Sequence, residues 1–312
     1  MNLQSKKILI TGGAGFLGRN LYDALIAHGI SKDNIKSIGH ETDLRDKATC
    51  ESAFDGVDVV FHLAANTGGI NKHMKIPGAV IYDNLLMNAN VLEAARNHGT
   101  EKLVLLGTAC SYPANAPMPL NEKDLWIGYP AKETAYYGLV KLMMQQQAQA
   151  YKQQYGVKSA YIIPPNLYGK YDKFGEEAHV IPSLIRKFVH AASNKLPEVA
   201  IWGNGNASRE FLFADDACNA IILAAEKYDS PEPMNIGVGK ETPIKEIVSI
   251  ISNVVGYEGQ IKWDTNMPNG AERRVMDITM AEKELGVIAK TDLLKGIKET
   301  VYWYKQNILP KE

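Results

Sequence analysis

The chain has 312 residues, 46% of them hydrophobic, and its 34 basic side chains nearly balance 35 acidic ones. This length allows a large core divided between two lobes, and the near-zero net charge argues against a nucleic-acid partner. The polar start of the chain and the lack of an apolar run of bilayer-spanning length argue against a signal peptide and a membrane partner.

The first predicted element is a short buried strand that runs into a glycine-rich turn and then a helix. The glycines permit a tight turn and close approach of the backbone to a pyrophosphate, which then lies at the helix N-terminus. Because strand, turn and helix follow in this order, we predict a dinucleotide-binding site. Its residues at this turn are Gly12, Gly15, Phe16, Leu17 and Gly18.

Two further apolar segments, residues 57–64 and 102–107, read as strands, and residues 81–98 between them have helical apolar spacing. We therefore predict an α/β fold with a doubly wound parallel sheet of the Rossmann type. The carboxyl ends of such strands face the ligand crevice. Ala64, Ala65 and residues 108–111 are expected to line it.

The most informative pattern in this cleft is a phenol and an ammonium four residues apart. Tyr137 and Lys141 lie on one helix face, and a cation beside the phenol is expected to lower the pKa of Tyr137, making it a usable acid or base. Thr108 adds a hydroxyl and Cys110 a thiol at the end of the preceding strand. Together these groups indicate redox chemistry with proton transfer at carbon.

The cysteines Cys50, Cys110 and Cys218 are scattered and odd in number, which indicates neither a disulfide scaffold nor a metal site and fits a reducing cytoplasm. For Cys110 the alternative to catalysis is a small buried side chain. Structural or solvated roles are assigned to five histidines, namely His28, His40, His73, His98 and His190.

Several segments together carry a resemblance to a known family. It covers nearly the whole chain and rests on residues 62–70, 107–113, 165–169, 179–188 and 202–205, with Arg209 and the two residues after it. In these segments the sequence resembles the GDP-L-fucose synthase family of extended short-chain dehydrogenases. That family performs 3,5-epimerisation and NADPH-dependent 4-reduction of GDP-4-keto-6-deoxy-mannose in one pocket.

The resemblance implies specific catalytic roles. Cys110 and His179 would move protons at C3 and C5, because a 4-keto group acidifies the hydrogens there, and Thr108 would stabilise the enolate with Tyr137. Tyr137 would then protonate the reduced oxygen, with Lys141 holding the ribose. A thiol and an imidazole both titrate within reach of neutral pH, which supports these assignments.

The resemblance also implies the binding residues. Beyond the glycine turn, the expected cofactor contacts are Asp43, Leu44, Ala64, Ala65, Lys141, Pro164, Asn166, Leu167 and His179. An arginine grips a diphosphate and an indole covers an apolar ligand face, although Trp202 has a plain core role as its alternative. The expected contacts to a GDP-linked sugar are Asn166, Lys187, Trp202, Arg209 and Asn269.

Departures from the family pattern keep alternatives open. Lys187 stands where arginine is usual, Ala109 where serine is common and Asn269 where aspartate is typical, so the sugar can differ. NADP is the cofactor that the resemblance implies. NAD is a rival, because Glu41 at the end of the second strand is available to a ribose hydroxyl and the sequence there has no arginine cluster to bind a 2′-phosphate. Two alternatives follow: an NAD-dependent nucleotide-sugar 4-epimerase or 4-dehydrogenase in which Cys110 and His179 are idle, and a non-catalytic dinucleotide sensor.

The predicted organisation is a dinucleotide-binding domain over residues 1–165, rejoined by segments near 210–239. Residues 166–312 mainly form a smaller α/β substrate-binding lobe, with a mobile flap at 169–177. The family resemblance further implies a homodimer that pairs the helices near 81–98 and 137–155.

Overall fold

Six parallel strands form the central sheet of the computed structural model, which describes residues 1–175, 178–266, 272–286 and 289–311. The strands within these described residues are β1 (Ile8–Thr11), β2 (Ile35–Ile38), β3 (Val59–His62), β4 (Lys102–Leu106), β5 (Ser159–Ile163), β6 (Asn166–Tyr168), β7 (Glu198–Trp202), β8 (Ser208–Arg209), β9 (Phe211–Phe213), β10 (Pro233–Asn235), β11 (Thr242–Pro243) and β12 (Gln260–Asp264).

The order across the sheet is β10-β5-β4-β3-β1-β2. From β1 the chain first moves outward to β2 and then crosses back to β3, so the topological switch point lies between β1 and β3, where a crevice opens at the strand ends. Thr11 is opposite His62 in the register of these two strands. The predicted doubly wound α/β fold is confirmed.

Helices cover both faces of this sheet because its inner strands are apolar on both sides. The α-helices in the part of the chain that the structure describes are α1 (Phe16–Ala27), α2 (Lys47–Ala53), α3 (Ile70–Lys75), α4 (Pro77–Asn97), α5 (Ala135–Tyr155), α6 (Val180–Ser193), α7 (Ala214–Lys227), α8 (Ile244–Val255), α9 (Thr279–Leu285) and α10 (Leu293–Asn307). One face carries α1 and α7, and the other carries α2, α4 and α5.

A second core lies among α6, α8 and α10, packed beside the two-stranded sheet of β7 and β12. Its centre is built from Phe188, Ile247 and Tyr304, which are fully buried. Between the two cores the chain returns to the central sheet: β10 pairs with β5, and α7 packs against α1.

The helix predicted for residues 81–98 begins earlier, at Pro77, since proline is well suited to the first helical turn, where its missing N–H is not needed. Helix α5 ends at Gly156, which adopts a left-handed conformation with φ 73°. Within the part of the chain that the structure describes, none of the helices combines the length and the hydropathy that crossing a membrane requires.

Candidate active site

The glycine turn between β1 and α1 is shaped for close approach of a phosphate. Gly12 has φ 69°, and a Cβ there would lie 2.8 Å from the backbone of Ala64. A Cβ on Gly18 would lie 2.3 Å from the carbonyl oxygen of Gly12. Gly15 begins α1 without a side-chain cap, so the first N–H groups of the helix stay available to an anion. This cradle fits a dinucleotide pyrophosphate.

The neighbouring cofactor candidates lie at the ends of the parallel strands. Leu44 is buried, while Asp43 pairs with Arg45, whose side chain lowers the pKa of Asp43 to about 2. Ala64 donates its N–H to the Thr11 hydroxyl at 3.2 Å. The remaining candidates are half-buried Phe16, buried Leu17, half-buried Ala65, buried Pro164 and half-buried Leu167.

Asn166 is exposed at the start of β6, and its side-chain amide donates to the carbonyl oxygen of Glu210 at 3.0 Å. That bond fixes the side chain and leaves its own oxygen free to accept from a ligand.

Tyr137 and Lys141 lie one turn apart near the start of α5, with the ammonium 5.9 Å from the centre of the phenol ring. Burial lowers the pKa of Lys141 to about 8 and raises that of Tyr137. The direction for Tyr137 differs from the one expected, because burial is the largest cause of the shift and Lys141 is not among the groups that lower the pKa of the phenol. A hydrogen bond with Thr67 opposes the rise.

The thiol is fixed beside this helix by its own loop. Thr108 caps the short turn 109–111, its side-chain oxygen accepting from the backbone N–H of Cys110 at 3.2 Å. Ser111 donates its hydroxyl to the carbonyl oxygen of Gly138 at 3.0 Å. A Cβ on Gly138 would lie 2.3 Å from the Cys110 carbonyl oxygen. Cys110 is half-buried and lies close enough to Tyr137 to contribute to the raised pKa of that phenol.

His179 is the N-cap residue of α6, and its side chain is exposed. The surrounding protein lowers the pKa of His179 by partial desolvation, and the cation of Lys173 adds to the effect. His179 in turn acts on His73, whose ring lies against Tyr137 with centroids 5.1 Å apart. These interactions connect His179 to the phenol side of the site.

The sugar and nucleotide candidates line the second lobe. Lys187 of α6 donates to the carbonyl oxygen of Ala200 at 2.8 Å. Trp202, at the end of β7, is 61% exposed and therefore available to a ligand rather than part of the core. Asn269 lies outside the described residues.

The guanidinium of Arg209 lies within electrostatic range of a second guanidinium, that of Arg274. Burial lowers the pKa of Arg209, and the cation of Arg274 adds to the effect while Glu241 opposes it. Arg274 also donates to the carbonyl oxygen of Ala109 at 3.0 Å. Two guanidinium groups that act on each other electrostatically form a local positive charge, which is the partner that a diphosphate requires.

Sequence reasoning missed three residues of this site. His73, assigned a structural role, is 6% exposed and contacts Tyr137. Thr67 reaches both Tyr137 and His73, and Arg274 reaches the Cys110 loop. The one signal in the sequence is the glycine pair Gly68-Gly69 soon after β3, which directly follows Thr67 and precedes His73 by four residues.

The described residues of the predicted flap, 169–175, pack against α10 through Phe174. Phe174 is buried, with ring centroids 6.0 Å from Trp303 and 4.7 Å from Tyr304 in α10. Asp172 is also buried, and burial raises the pKa of its carboxyl to about 7. The last two residues of the predicted flap, 176 and 177, lie outside the described part. No group of three or more histidines, cysteines or carboxylates among the residues described is placed to hold a metal ion.

Comparisons with known proteins show the family of this chain. The model of the NAD dependent epimerase/dehydratase family matches residues 8–237. GDP-L-fucose synthase 1 of Arabidopsis thaliana is 35% identical over 311 residues, covering 99% of this chain and 96% of the relative.

Two solved structures extend the similarity to the fold. A GDP-L-fucose synthetase of Naegleria fowleri bound to NADP superposes with a TM-score of 0.90 at 28% identity, covering 97% of this chain and 94% of the other. A GDP-6-OMe-4-keto-L-xylo-heptose reductase of C. jejuni also gives a TM-score of 0.90, at 26% identity, covering 98% and 99%.

Proposed function

Because the chain belongs to the NAD-dependent epimerase/dehydratase family, we propose that it epimerises a GDP-linked 4-keto-6-deoxy sugar at C3 and C5 and reduces it at C4 with NADPH. The observation that carries this proposal is the fixed position of Cys110 beside Tyr137, held by the close approach of its loop to Gly138. A simple reductase needs the phenol alone. A thiol in the same pocket adds a group that can move protons at carbon.

NADPH, when bound, supplies the hydride that reduces C4. The glycine turn holds its pyrophosphate on the N-terminus of α1, and Lys141 holds its ribose. One solved neighbour, the GDP-L-fucose synthetase of Naegleria fowleri, is bound to NADP, which supports this cofactor. In this scheme residues 1–165 and 210–239 form the cofactor lobe, and the remaining residues to 312 mainly bind the sugar nucleotide.

Epimerisation uses the two groups on either side of the sugar. The 4-keto group acidifies the hydrogens at C3 and C5, so Cys110 and His179 remove a proton from one face and return one to the other. The enolate oxygen that forms at C4 is stabilised by hydrogen bonds from Thr108 and Tyr137. The lowered pKa of His179 leaves its imidazole neutral at pH 7, which suits it to accept a proton.

Reduction uses the phenol. Tyr137 gives its proton to the oxygen at C4, and burial keeps the phenol protonated and ready to do so. The diphosphate lies against Arg209 and Arg274, whose charges are close together and only partly neutralised. Trp202 covers an apolar face of the ligand, while Lys187, Asn166 and Asn269 complete the contacts to the sugar nucleotide.

A second candidate function has one observation in its favour. Glu41 follows β2, and its carboxylate accepts from the N–H of Gly39 at 2.6 Å. An acidic side chain at this strand end binds a ribose 2′-hydroxyl and repels a 2′-phosphate. This position favours an NAD-dependent 4-epimerase or 4-dehydrogenase of a GDP- or UDP-linked sugar, in which Cys110 and His179 would be idle.

We also propose that the protein is a homodimer in a reducing cytoplasm. The three cysteines are free thiols. Helices α4 and α5 pack together, and their outer surface exposes Tyr82, Leu85 and Met143 at 62%, 40% and 53%. The groove between these helices is lined largely by apolar side chains, which a second copy of the pair would bury.

The test is an incubation in deuterated water with GDP-4-keto-6-deoxy-mannose and either NADPH or NADH, with the product read by mass spectrometry and NMR. We expect a reduced product carrying deuterium at C3 and C5, formed faster with NADPH. A reduced product without deuterium would leave a 4-reductase only. Neither reduction nor exchange, with tightly bound NAD in the purified protein, would favour the second candidate.

A further inference from the structure

Two residues of the segment that follows β3 lie against the phenol without a role in the scheme above. His73, in α3, is 6% exposed, and its ring centroid lies 5.1 Å from that of Tyr137 at an interplanar angle of 32°. Thr67, in the loop before α3, is near enough to Tyr137 to oppose the rise in the pKa of its phenol as a hydrogen-bonding neighbour. A histidine buried against an active-site acid is a candidate for proton transfer.

The side chains of His73, Thr67 and Tyr137 are neighbours in that order. The Thr67 hydroxyl lies 3.5 Å from Nε2 of His73 and also reaches the Tyr137 phenol. The second ring nitrogen, Nδ1, is buried and makes no hydrogen bond of normal geometry among the residues that the structure describes, although the backbone of Gly68 acts on the ring. A buried imidazole nitrogen without a partner is costly, so its persistence beside the active site points to a partner that arrives with the ligand.

We propose that Thr67 and His73 form a proton relay that resupplies Tyr137 during reduction, with His73 as a positioning residue that acts through Thr67. The relay rests on the proposed reduction at C4. It adds a route to the phenol that does not pass through Lys141, whose ammonium lies 5.9 Å from the Tyr137 ring on the same helix.

The proton transfers balance. The O–H bond of Tyr137 breaks as an O–H bond forms at C4 of the sugar. Thr67 then gives its hydroxyl proton to the phenolate, and Nε2–H of His73 gives its proton to the Thr67 oxygen. Nδ1 takes up a replacement proton from a water molecule admitted with the substrate, and the hydroxide that remains is neutralised by the solvent buffer. One solvent proton is consumed for each ketone reduced. Between turnovers the ring loses the proton on Nδ1 to solvent and gains one on Nε2, which restores the starting tautomer.

The groups around His73 favour the neutral ring that this route requires. Burial has the largest effect and lowers the pKa of His73, a polar contact with the backbone of Gly68 raises it, and the charges of Lys72 on its own helix and of His179 at the start of α6 lower it further. Tyr137 faces it from α5. A neutral imidazole can donate from one nitrogen while it accepts at the other, whereas an imidazolium can only donate.

Three variants separate the relay from a packing role. Thr67→Val keeps the shape of the side chain but removes the hydroxyl, and Thr67→Ser restores it. His73→Phe keeps the aromatic contact with Tyr137 and removes both nitrogens. Steady-state reduction of an already epimerised GDP-4-keto sugar by NADPH gives kcat, KM and the solvent deuterium isotope effect for each variant.

We expect Thr67→Val and His73→Phe each to lower kcat about tenfold, below the range of about 100-fold to 10,000-fold for loss of a direct general acid. KM should stay within about twofold, Thr67→Ser should retain the wild-type kcat, and the double variant should be no slower than either single one. Wild-type kcat in Thr67→Val, or additive losses in the double variant, would overturn the relay.

A readout without turnover completes the test. NMR of protein labelled with ¹⁵N-histidine reports the tautomer and pKa of His73, which the spectrum of His73→Phe assigns. We expect Thr67→Val to shift the Nε2 signal of His73, and an unchanged signal would overturn the contact. Failure of the wild-type protein to reduce any GDP-4-keto sugar would overturn the proposed function and the relay together, whereas wild-type rates in Thr67→Val would overturn the relay alone.

Discussion

Arg274 donates a hydrogen bond to the backbone carbonyl oxygen of Ala109, with nitrogen and oxygen 3.0 Å apart. The guanidinium belongs to the segment that follows the second lobe's β12, whereas Ala109 directly precedes Cys110. Arg274 also lies close enough to Arg209 to lower its pKa. The charge that we assign to the diphosphate site is therefore bonded to the loop that carries the thiol.

From this contact we predict that Arg274→Met raises KM for the GDP-sugar about tenfold and slows deuterium exchange at C3 and C5 as well. Loss of one charged contact accounts for the first effect, and release of the Cys110 loop accounts for the second. The control is Arg273→Met, because Arg273 instead bonds Glu241 at 2.7 Å on the surface. Equal effects of the two substitutions on exchange would contradict the prediction.

Cys110→Ser should separate the two half-reactions. The Thr108 cap binds the backbone N–H of residue 110 and survives the substitution, so the loop stays in place. A serine hydroxyl is a far weaker acid than a thiol, and we expect deuterium exchange to fall by at least about 100-fold while reduction of an already epimerised ketone changes little. Mass spectrometry of the product measures both. Wild-type exchange in this variant would remove Cys110 from the mechanism.

Lys141 should couple activity to pH near 8, the value to which burial lowers its pKa. Its ammonium is present below that value and is lost as the pH rises through it, so kcat/KM for reduction should decline above about pH 8. Lys141→Arg, which keeps its charge, should lose this decline even if its rate is lower throughout. A decline that persists in Lys141→Arg would assign the titration to another group.

The same burial predicts an opposite effect on stability. The pKa of Lys141 lies below its ordinary value of 10.5 in the folded protein, so the unfolded chain binds more protons between about pH 8 and 10.5. The free energy of unfolding should therefore rise with pH across that window. Lys141→Met should be inactive yet more stable at pH 7, by up to about 3 kcal/mol. Urea unfolding at pH 7 and pH 10 measures this, and a less stable variant would contradict it.

The outer surface of α4 and α5 gives a prediction about assembly. Leu85→Glu places a charge in the apolar groove between these helices and should convert a dimer into a monomer, because burial of an unpaired carboxylate is costly. Tyr302→Glu is the control, since Tyr302 is 68% exposed on α10, away from that surface. Light scattering gives the mass of each variant. A wild-type monomer would refute the proposed dimer.

Local patterns made part of this site predictable from sequence. The glycine turn requires specific backbone freedom, and Tyr137 and Lys141 share a helix face through their spacing alone. His73 could not be found in this way, because its contact with Tyr137 joins segments 64 residues apart. Arg274 is 165 residues from Ala109. The pKa of Tyr137 is raised because the residue is buried. The spacing between Tyr137 and Lys141 gives no information about burial.

The pairing of β10 with β5 determines when the central sheet can be completed as the chain is synthesised. The sheet gains its outermost strand beside β5 only when residues 233–235 are available, and α1 gains α7 as its partner at the same stage. A nascent chain of 165 residues would expose both the unpaired edge of β5 and the apolar side of α1, which favours aggregation. We therefore expect the central sheet to complete its folding only after residues 233–235 have been translated, and we expect an N-terminal fragment of 165 residues to be a poor starting point for producing this part alone.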